Sequence, residues 1–211
     1  WSYSNLLEFS SRVTAYIRDQ GLVHGDRVMI WAPNMPEWVG VFFGCVRAGV
    51  IVVPADVQAS DDFVQRVSDL TEPKLVFAAS QTFQRAESLG PRVALLEDLQ
   101  SLAHAVEAEG AAPIVEAGDI AEIMFTSGTT GDPKGVILTH GNIVANAAAS
   151  GKAVPPVSGE CLLSILPLSH MFEQTGGMLA PLSGGATIVY PASRKPKVLF
   201  AAFEAHGVTT M

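Results

Sequence analysis

The stretch from Thr126 to Gly135, Thr-Ser-Gly-Thr-Thr-Gly-Asp-Pro-Lys-Gly, carries the densest set of groups able to grip an anion. A loop this rich in Gly, Ser and Thr can turn backbone N–H groups and hydroxyls toward one phosphate. Its three glycines open backbone angles closed to other residues. Lys134 adds a positive charge on a long arm, which suits a phosphate tail. Pro133 stiffens the exit and removes one donor. The stretch is not a Walker A loop, because Asp132 and Pro133 separate Gly131 from the lysine and Gly135 follows it. The same composition is the ordinary signature of a turn, so a plain hairpin tip between two strands stands as the alternative.

A second string, Leu166-Pro167-Leu168-Ser169-His170-Met171-Phe172-Glu173, places a histidine between a strand-like run and an apolar stretch. His170 could position a substrate or stabilise charge near neutral pH. The alternative is a histidine at a helix start, packed on a strand end. His170 and Glu173 are too few for a metal site, and no metal ligand set is expected anywhere in the chain. The apolar run Met171 to Leu182, with room at Gly176-Gly177, suits a hydrocarbon channel and suits ordinary core packing equally well. No Gly-x-Ser-x-Gly elbow occurs, so a serine hydrolase lacks a nucleophile.

At these residues the chain resembles the adenylate-forming superfamily: acyl-CoA synthetases, nonribosomal peptide adenylation domains and firefly-type luciferases. The Thr126–Gly135 string is similar to that superfamily's phosphate-binding loop, and the continuation through Thr139-His140 agrees. The Leu166–Glu173 string resembles its acyl-pocket motif, in wording most like the long-chain fatty acyl-CoA ligase branch. Gly25-Asp26-Arg27-Val28, the Pro33 to Trp38 segment and the Arg47 to Pro54 segment resemble its framework signatures. Asp26-Arg27 is expected as an ion pair and Trp38 as core filler. After Pro54 the family continues with Asn or Asp and then Pro. Ala55 to Ser60 departs from this, without touching a site residue.

The resemblance implies that Thr126, Ser127, Gly128, Thr129, Thr130, Gly131 and Lys134 hold the β,γ-phosphates of ATP. It implies that His170 lies by the carboxylate and the acyl tunnel, and that His140 holds the loop or the sheet end. The reaction implied is ATP-dependent activation of a long-chain fatty acid to an acyl-adenylate, followed by transfer to coenzyme A. ATP, Mg²⁺ and coenzyme A are the expected cofactors, the last two bound largely by segments outside this sequence. The family's Tyr-Gly-x-Thr-Glu string, ribose-binding Asp and C-terminal domain with its catalytic Lys also fall outside it. The chain begins at Trp1 without an initiating Met and stops just after the strand-like Gly207 to Thr210. It reads as an N-terminal piece of the family's large domain, inactive as a ligase by itself and a weak nucleotide binder at best. Two further readings stay open: a non-catalytic nucleotide-binding or scaffold module, and an adenylating enzyme for another carboxylic acid.

The elements that must position these residues are legible as alternating strands and helices. Helical spacing runs from Trp1 to Gln20, with Ser4 or Asn5 as cap and Gly21 as stop, and again over Glu37–Arg47, Asp61–Leu70, Thr82–Leu89 and Ser101–Glu109, the last ending at Gly110. Strand-like runs occupy Asp26–Trp31, Val50–Val53, Lys74–Ala79, Val93–Leu96 and Ile120–Phe125. Further on come a helix over Asn142–Ser150, a turn at Gly151–Gly159, a strand over Cys161–Leu166, a helical Met171–Leu182, a strand over Ala186–Tyr190 and a helix over Lys195–His206. Each strand is apolar nearly throughout, which predicts an α/β fold of mostly parallel sheets layered with helices. A first α/β part over 1–116 and a phosphate-loop and acyl-pocket part over 117–211 are expected. In such sheets ligands bind at the carboxyl ends of the strands, where the opening loop sits.

The 211 residues are 48% hydrophobic and 16% charged, which describes a globular chain with ample core. A net charge of -8, with no Lys/Arg cluster, makes nucleic acid a poor partner and small molecules the expected ones. Cys45 and Cys161 read as buried reduced thiols. A cytoplasmic location is expected, with peripheral membrane association left open, since no signal peptide or lipidation motif is visible.

Overall fold

A computed structural model describes residues 1–99, 101, 113–127, 132–154 and 159–211. The chain divides into two compact units, Trp1–His140 and Gly141–Met211. The first contains α1 (Tyr3–Asp19), β1 (Arg27–Trp31), α2 (Pro36–Ala48), β2 (Ile51–Ala55), α3 (Asp61–Thr71), β3 (Leu75–Ala78), α4 (Phe83–Glu87), β4 (Arg92–Leu95), β5 (Ile120–Ser127) and β6 (Pro133–Thr139). Their strands form one six-stranded sheet in the order β4-β3-β1-β2-β5-β6. β1 to β5 run parallel, and β6 returns antiparallel to β5.

The apolar runs are continuous because both faces of the sheet are covered. Side chains alternate along a strand. Met29 and Trp31, with Val53, Ala55, Val76 and Ala78, therefore face one side, where they pack on Val64 and Val67 of α3 and Ala86 of α4. Val28, Ile30, Val52 and Phe77 face the other and are fully buried. On that side the Tyr16 ring of α1 lies 6.3 Å from that of Phe77.

Two glycines bring α2 against α1. A Cβ at Gly40 would lie 2.2 Å from Phe9 Cδ1, and one at Gly44 would lie 2.5 Å from Val13 Cγ1. The close approach also lets Thr14 Oγ1 donate to the Gly44 carbonyl at 3.0 Å. Trp38, fully buried, stacks on Phe42 beside this seam. The start of α1 is capped by Ser2, two or three residues ahead of the expected Ser4 or Asn5. Asn5 serves as the reciprocal partner of a capping box.

The expected Asp26–Arg27 pair does not form. Asp26 Oδ1 lies 2.9 Å from Lys74 Nζ, and its other oxygen accepts from the Val23 N–H at 2.8 Å. Arg27 turns away and donates to the Thr71 carbonyl at 2.6 Å. Asp26 lies in the turn just before β1, where Lys74 and the Val23 N–H engage its carboxyl, while the Thr71 carbonyl holds Arg27. Burial alone would raise the Asp26 carboxyl, but the Val23 N–H and Lys74 hold it below the usual carboxylate range.

The first compact unit runs on to His140, because β5 pairs with β2 and carries β6 into the first sheet. Apart from Ser101, the expected helix Ser101–Glu109 and its Gly110 stop lie outside the described residues.

Across the unit boundary runs α5 (His140–Ala153). The second unit then contains β7 (Cys161–Leu163), α6 (Met171–Glu173), a π-helical turn (Gln174–Leu179), α7 (Ala180–Ser183), β8 (Thr187–Val189) and α8 (Pro196–His206). β7 and β8 pair in parallel, and Thr210 bridges to Leu162. β7 is shorter than the expected Cys161–Leu166. The Ser164 N–H still reaches the Val189 carbonyl, but the chain then leaves the ladder toward Pro167, which has no N–H to offer. The expected Gly151–Gly159 turn gives way to α5 as far as Ala153, and 155–158 lie outside the described residues.

Candidate functional site

The Thr126–Gly135 string closes a hairpin. β5 carries Thr126 and Ser127 at its end, and β6 begins at Pro133. Ser127 pairs with Pro133, Thr126 with Lys134 and Phe125 with Gly135. β5 runs parallel to β2, so its last residues, Thr126 and Ser127, lie at the carboxyl edge of the parallel strands. The two ends of the string are thus antiparallel neighbours at that edge. Gly128, Thr129, Thr130 and Gly131 lie outside the described residues.

Gly135 has a different role from the one composition suggested. It is not among the glycines with left-handed φ. A Cβ there would lie 3.1 Å from both Ile123 Cγ2 and Phe125 Cζ, so its missing side chain makes room for the cross-strand ring. Lys134 is exposed beside it.

Two further cations sit at the same edge. Arg66 of α3 approaches Asp132 Oδ1 at 3.4 Å and Asp62 Oδ2 at 3.0 Å. Arg85 of α4 stacks 4.4 Å above the Trp31 ring and donates to the Ala59 carbonyl at 2.8 Å and the Val57 carbonyl at 3.2 Å. Arg85 thereby fixes the connection from β2 to α3. The sequence offered no local signal for Arg66 beside Asp132, since the two are 66 positions apart.

His140 lies at the other edge, where β6 ends. Its N–H donates to the Asp119 carbonyl at 3.0 Å. His24 Nε2 lies 3.1 Å from Asp119 Oδ2, which also accepts from the Glu116 N–H at 2.8 Å. The Glu116 N–H and then His24 hold the Asp119 carboxyl below its usual range, and burial lowers His140. His24, a turn residue by sequence, thus pins the start of β5, and His140 braces the sheet end away from the loop.

In the second unit His170 is exposed and occupies the N-cap position of α6. Its N–H donates to the Pro167 carbonyl at 3.0 Å, and its carbonyl accepts from the Gln174 N–H at 3.1 Å. Leu168 is buried, and its carbonyl accepts from Gln174 Nε2 at 2.9 Å. The string's last residue, Glu173, points inward: it is 5% exposed, and the Ser164 hydroxyl donates to its Oε1. Burial pushes the Glu173 carboxyl up, while Ser164 acts against that shift. The room at Gly177 is taken by this carboxyl, because a Cβ at 177 would lie 2.3 Å from Glu173 Oε1. Gly176, by contrast, faces open space. Glu173 was missed as more than a string member, although one acid in an otherwise apolar run is a legible signal.

Among the described residues no group of three or more His, Cys, Asp or Glu side chains is gathered to hold a metal ion. Among them, too, no helix is long and apolar enough to cross a membrane. Cys45 and Cys161 are buried and unbridged.

Comparison with known proteins adds to this geometry. The sequence profile of the AMP-binding enzyme family matches residues 1–211. An acyl-CoA ligase of Ajellomyces capsulatus is 28% identical over 100% of this chain and 42% of its own length. A long-chain fatty acid–CoA ligase of Homo sapiens is 29% identical over 82% of this chain and 30% of its own length. The chain thus spans less than half of either relative. Among solved structures, ATP-bound MatB from Rhodopseudomonas palustris superposes with a TM-score of 0.84 at 23% identity, covering 96% of this chain and 42% of that one. This last likeness establishes the α/β fold.

Proposed function

Because the chain belongs to the AMP-binding enzyme family, we propose that the whole protein activates a long-chain fatty acid with ATP and passes the acyl group to coenzyme A. A carboxylate is a poor electrophile, and joining its oxygen to AMP creates a good leaving group. The acid oxygen attacks the α-phosphorus, the bond to the β-phosphate breaks, and pyrophosphate departs. Thr126, Ser127, Thr129, Thr130 and Lys134, with the backbone amides of Gly128 and Gly131, hold the β,γ-phosphates as that charge develops. Stabilisation of developing charge is usually the largest single contribution in such transfers. His170, exposed at a helix start, positions the acid. Magnesium, when bound with the nucleotide, neutralises phosphate charge.

One observation supports this reading above the others: the two ends of the phosphate-loop string stand on adjacent antiparallel strands at the carboxyl edge of a parallel sheet, with Thr126 opposite Lys134. The long-chain substrate rests on the wording of Leu166–Glu173 and on the human relative's name. Adenylation of a different carboxylic acid is the second reading. It is favoured by the Glu173 carboxyl, which fills the space at Gly177 that a hydrocarbon channel would use.

The test is acid-dependent ATP–pyrophosphate exchange by the full-length protein across acetate, amino acids and fatty acids of increasing length. Preference for the long fatty acids is the expected result. Preference for acetate or an amino acid overturns the substrate assignment. Absence of exchange with every acid favours a non-catalytic nucleotide-binding module.

A further inference from the structure

The feature that the proposed chemistry leaves unused is a buried polar brace beneath His170. Glu173 sits one turn after His170 and sends its carboxyl into the unit, where Ser164 donates to it just past β7. The absent Cβ of Gly177 leaves the carboxyl its seat. Gln174, fully buried, ties the next position to the Leu168 carbonyl. The helix widens into a π-helical turn over Gln174–Leu179, which begins at the second of these polar anchors. Wide turns of this kind cost hydrogen-bond geometry and tend to sit at functional sites. A buried acid is costly unless hydrogen-bonded, so its position in an apolar run needs a compensating role.

We propose that Glu173 is a positioning residue. Held by Ser164 over Gly177, it fixes the wide turn and the place of His170, and so sets which carboxylic acids the pocket accepts. This rests on the reading of His170 as an acid-positioning residue. The brace acts on the acid and not on the nucleotide, since Ser164, Gln174, Gly177 and His170 all belong to the segment that carries the acyl string.

The experiment measures acid-dependent ATP–pyrophosphate exchange in the full-length protein for a fatty-acid chain-length series, comparing wild type with Glu173→Ala, Glu173→Gln and Ser164→Ala. Losing the brace should raise KM for the preferred acid about tenfold and flatten the chain-length profile, with KM for ATP within about twofold of wild type. Glu173→Gln should retain most of the wild-type preference, because its amide oxygen still accepts from Ser164. An unchanged acid KM and profile in Glu173→Ala and Ser164→Ala overturns the proposal, as does an equal rise in KM for ATP, which marks general loosening. Should Glu173→Ala fail to fold, Ser164→Ala decides alone. A wild-type protein without acid-dependent exchange sinks the functional reading itself, whereas an active wild type with indifferent variants sinks only the brace.

Discussion

Thr126 and Lys134 stand directly opposite each other on the antiparallel strands β5 and β6. Cross-strand partners project from the same face of a hairpin, with Cβ atoms about 5 Å apart. Both side chains thus leave the same face of the hairpin, one pair before the last of the ladder.

Replacing Lys134 by Ala should leave folding intact and slow adenylation. The side chain is exposed, and surface changes of this kind usually alter stability by less than about 0.5 kcal/mol. A lost charge-assisted contact to phosphate is worth about 1.5–3 kcal/mol, or roughly ten- to a hundredfold in pyrophosphate exchange. Exchange kinetics of the full-length protein read beside its Tm check this. A lowered Tm with kinetics otherwise unchanged would count against a phosphate role.

The α1–α2 seam makes a stability prediction independent of any activity. Gly44→Ala would place a methyl 2.5 Å from Val13 Cγ1 and 3.0 Å from the Ser10 carbonyl. Val13 is fully buried, so the helices must separate or shift. Overpacking of this sort costs about 1–3 kcal/mol. Denaturant titration should show a lower midpoint, and Val13→Ala in the same chain should recover part of the loss. If Gly44→Ala matches wild type, the close approach is not a constraint.

Asp26 gives a pH dependence with a definite sign. Its folded-state carboxyl lies below the usual carboxylate range, so its unfolded form binds a proton more readily. Its contribution is therefore fully present above the unfolded value near 3.8 and is lost as pH falls through the depressed folded value. Asp26→Asn should cost about 1.5–3 kcal/mol at neutral pH, through loss of the charged contacts to Lys74 and the Val23 N–H. The difference from wild type should shrink on acidification. Unfolding curves of both proteins from neutral to acid pH test this, and a pH-independent difference would contradict it.

The alternation of elements, the parallel class of sheet and the two motif strings were all readable before any coordinates. Each depends on residues close in sequence: apolar runs of strand length, and helical spacing over two or three turns, as over the Glu37–Arg47 stretch that lies inside α2. Element ends were less legible, as at β7 and at the cap of α1, because they depend on where partners run out.

What the tertiary structure alone decided are relations between distant residues. Asp26 meets Lys74 instead of its neighbour Arg27, since the parallel pairing of β1 with β3 brings the Lys74 backbone against Arg27 and its side chain to Asp26. Gly135 yields space to Phe125 across a ladder, and Gly177 yields it to the Glu173 carboxyl across a helical turn. The hairpin joins the first unit because β5 finds β2, a pairing between residues far apart in the sequence, Val52 and Glu122. Local sequence encodes which conformation each segment prefers. Which side chain fills which space is settled when those segments pack, because steric fit and hydrogen-bond satisfaction depend on residues that the chain brings together only on folding.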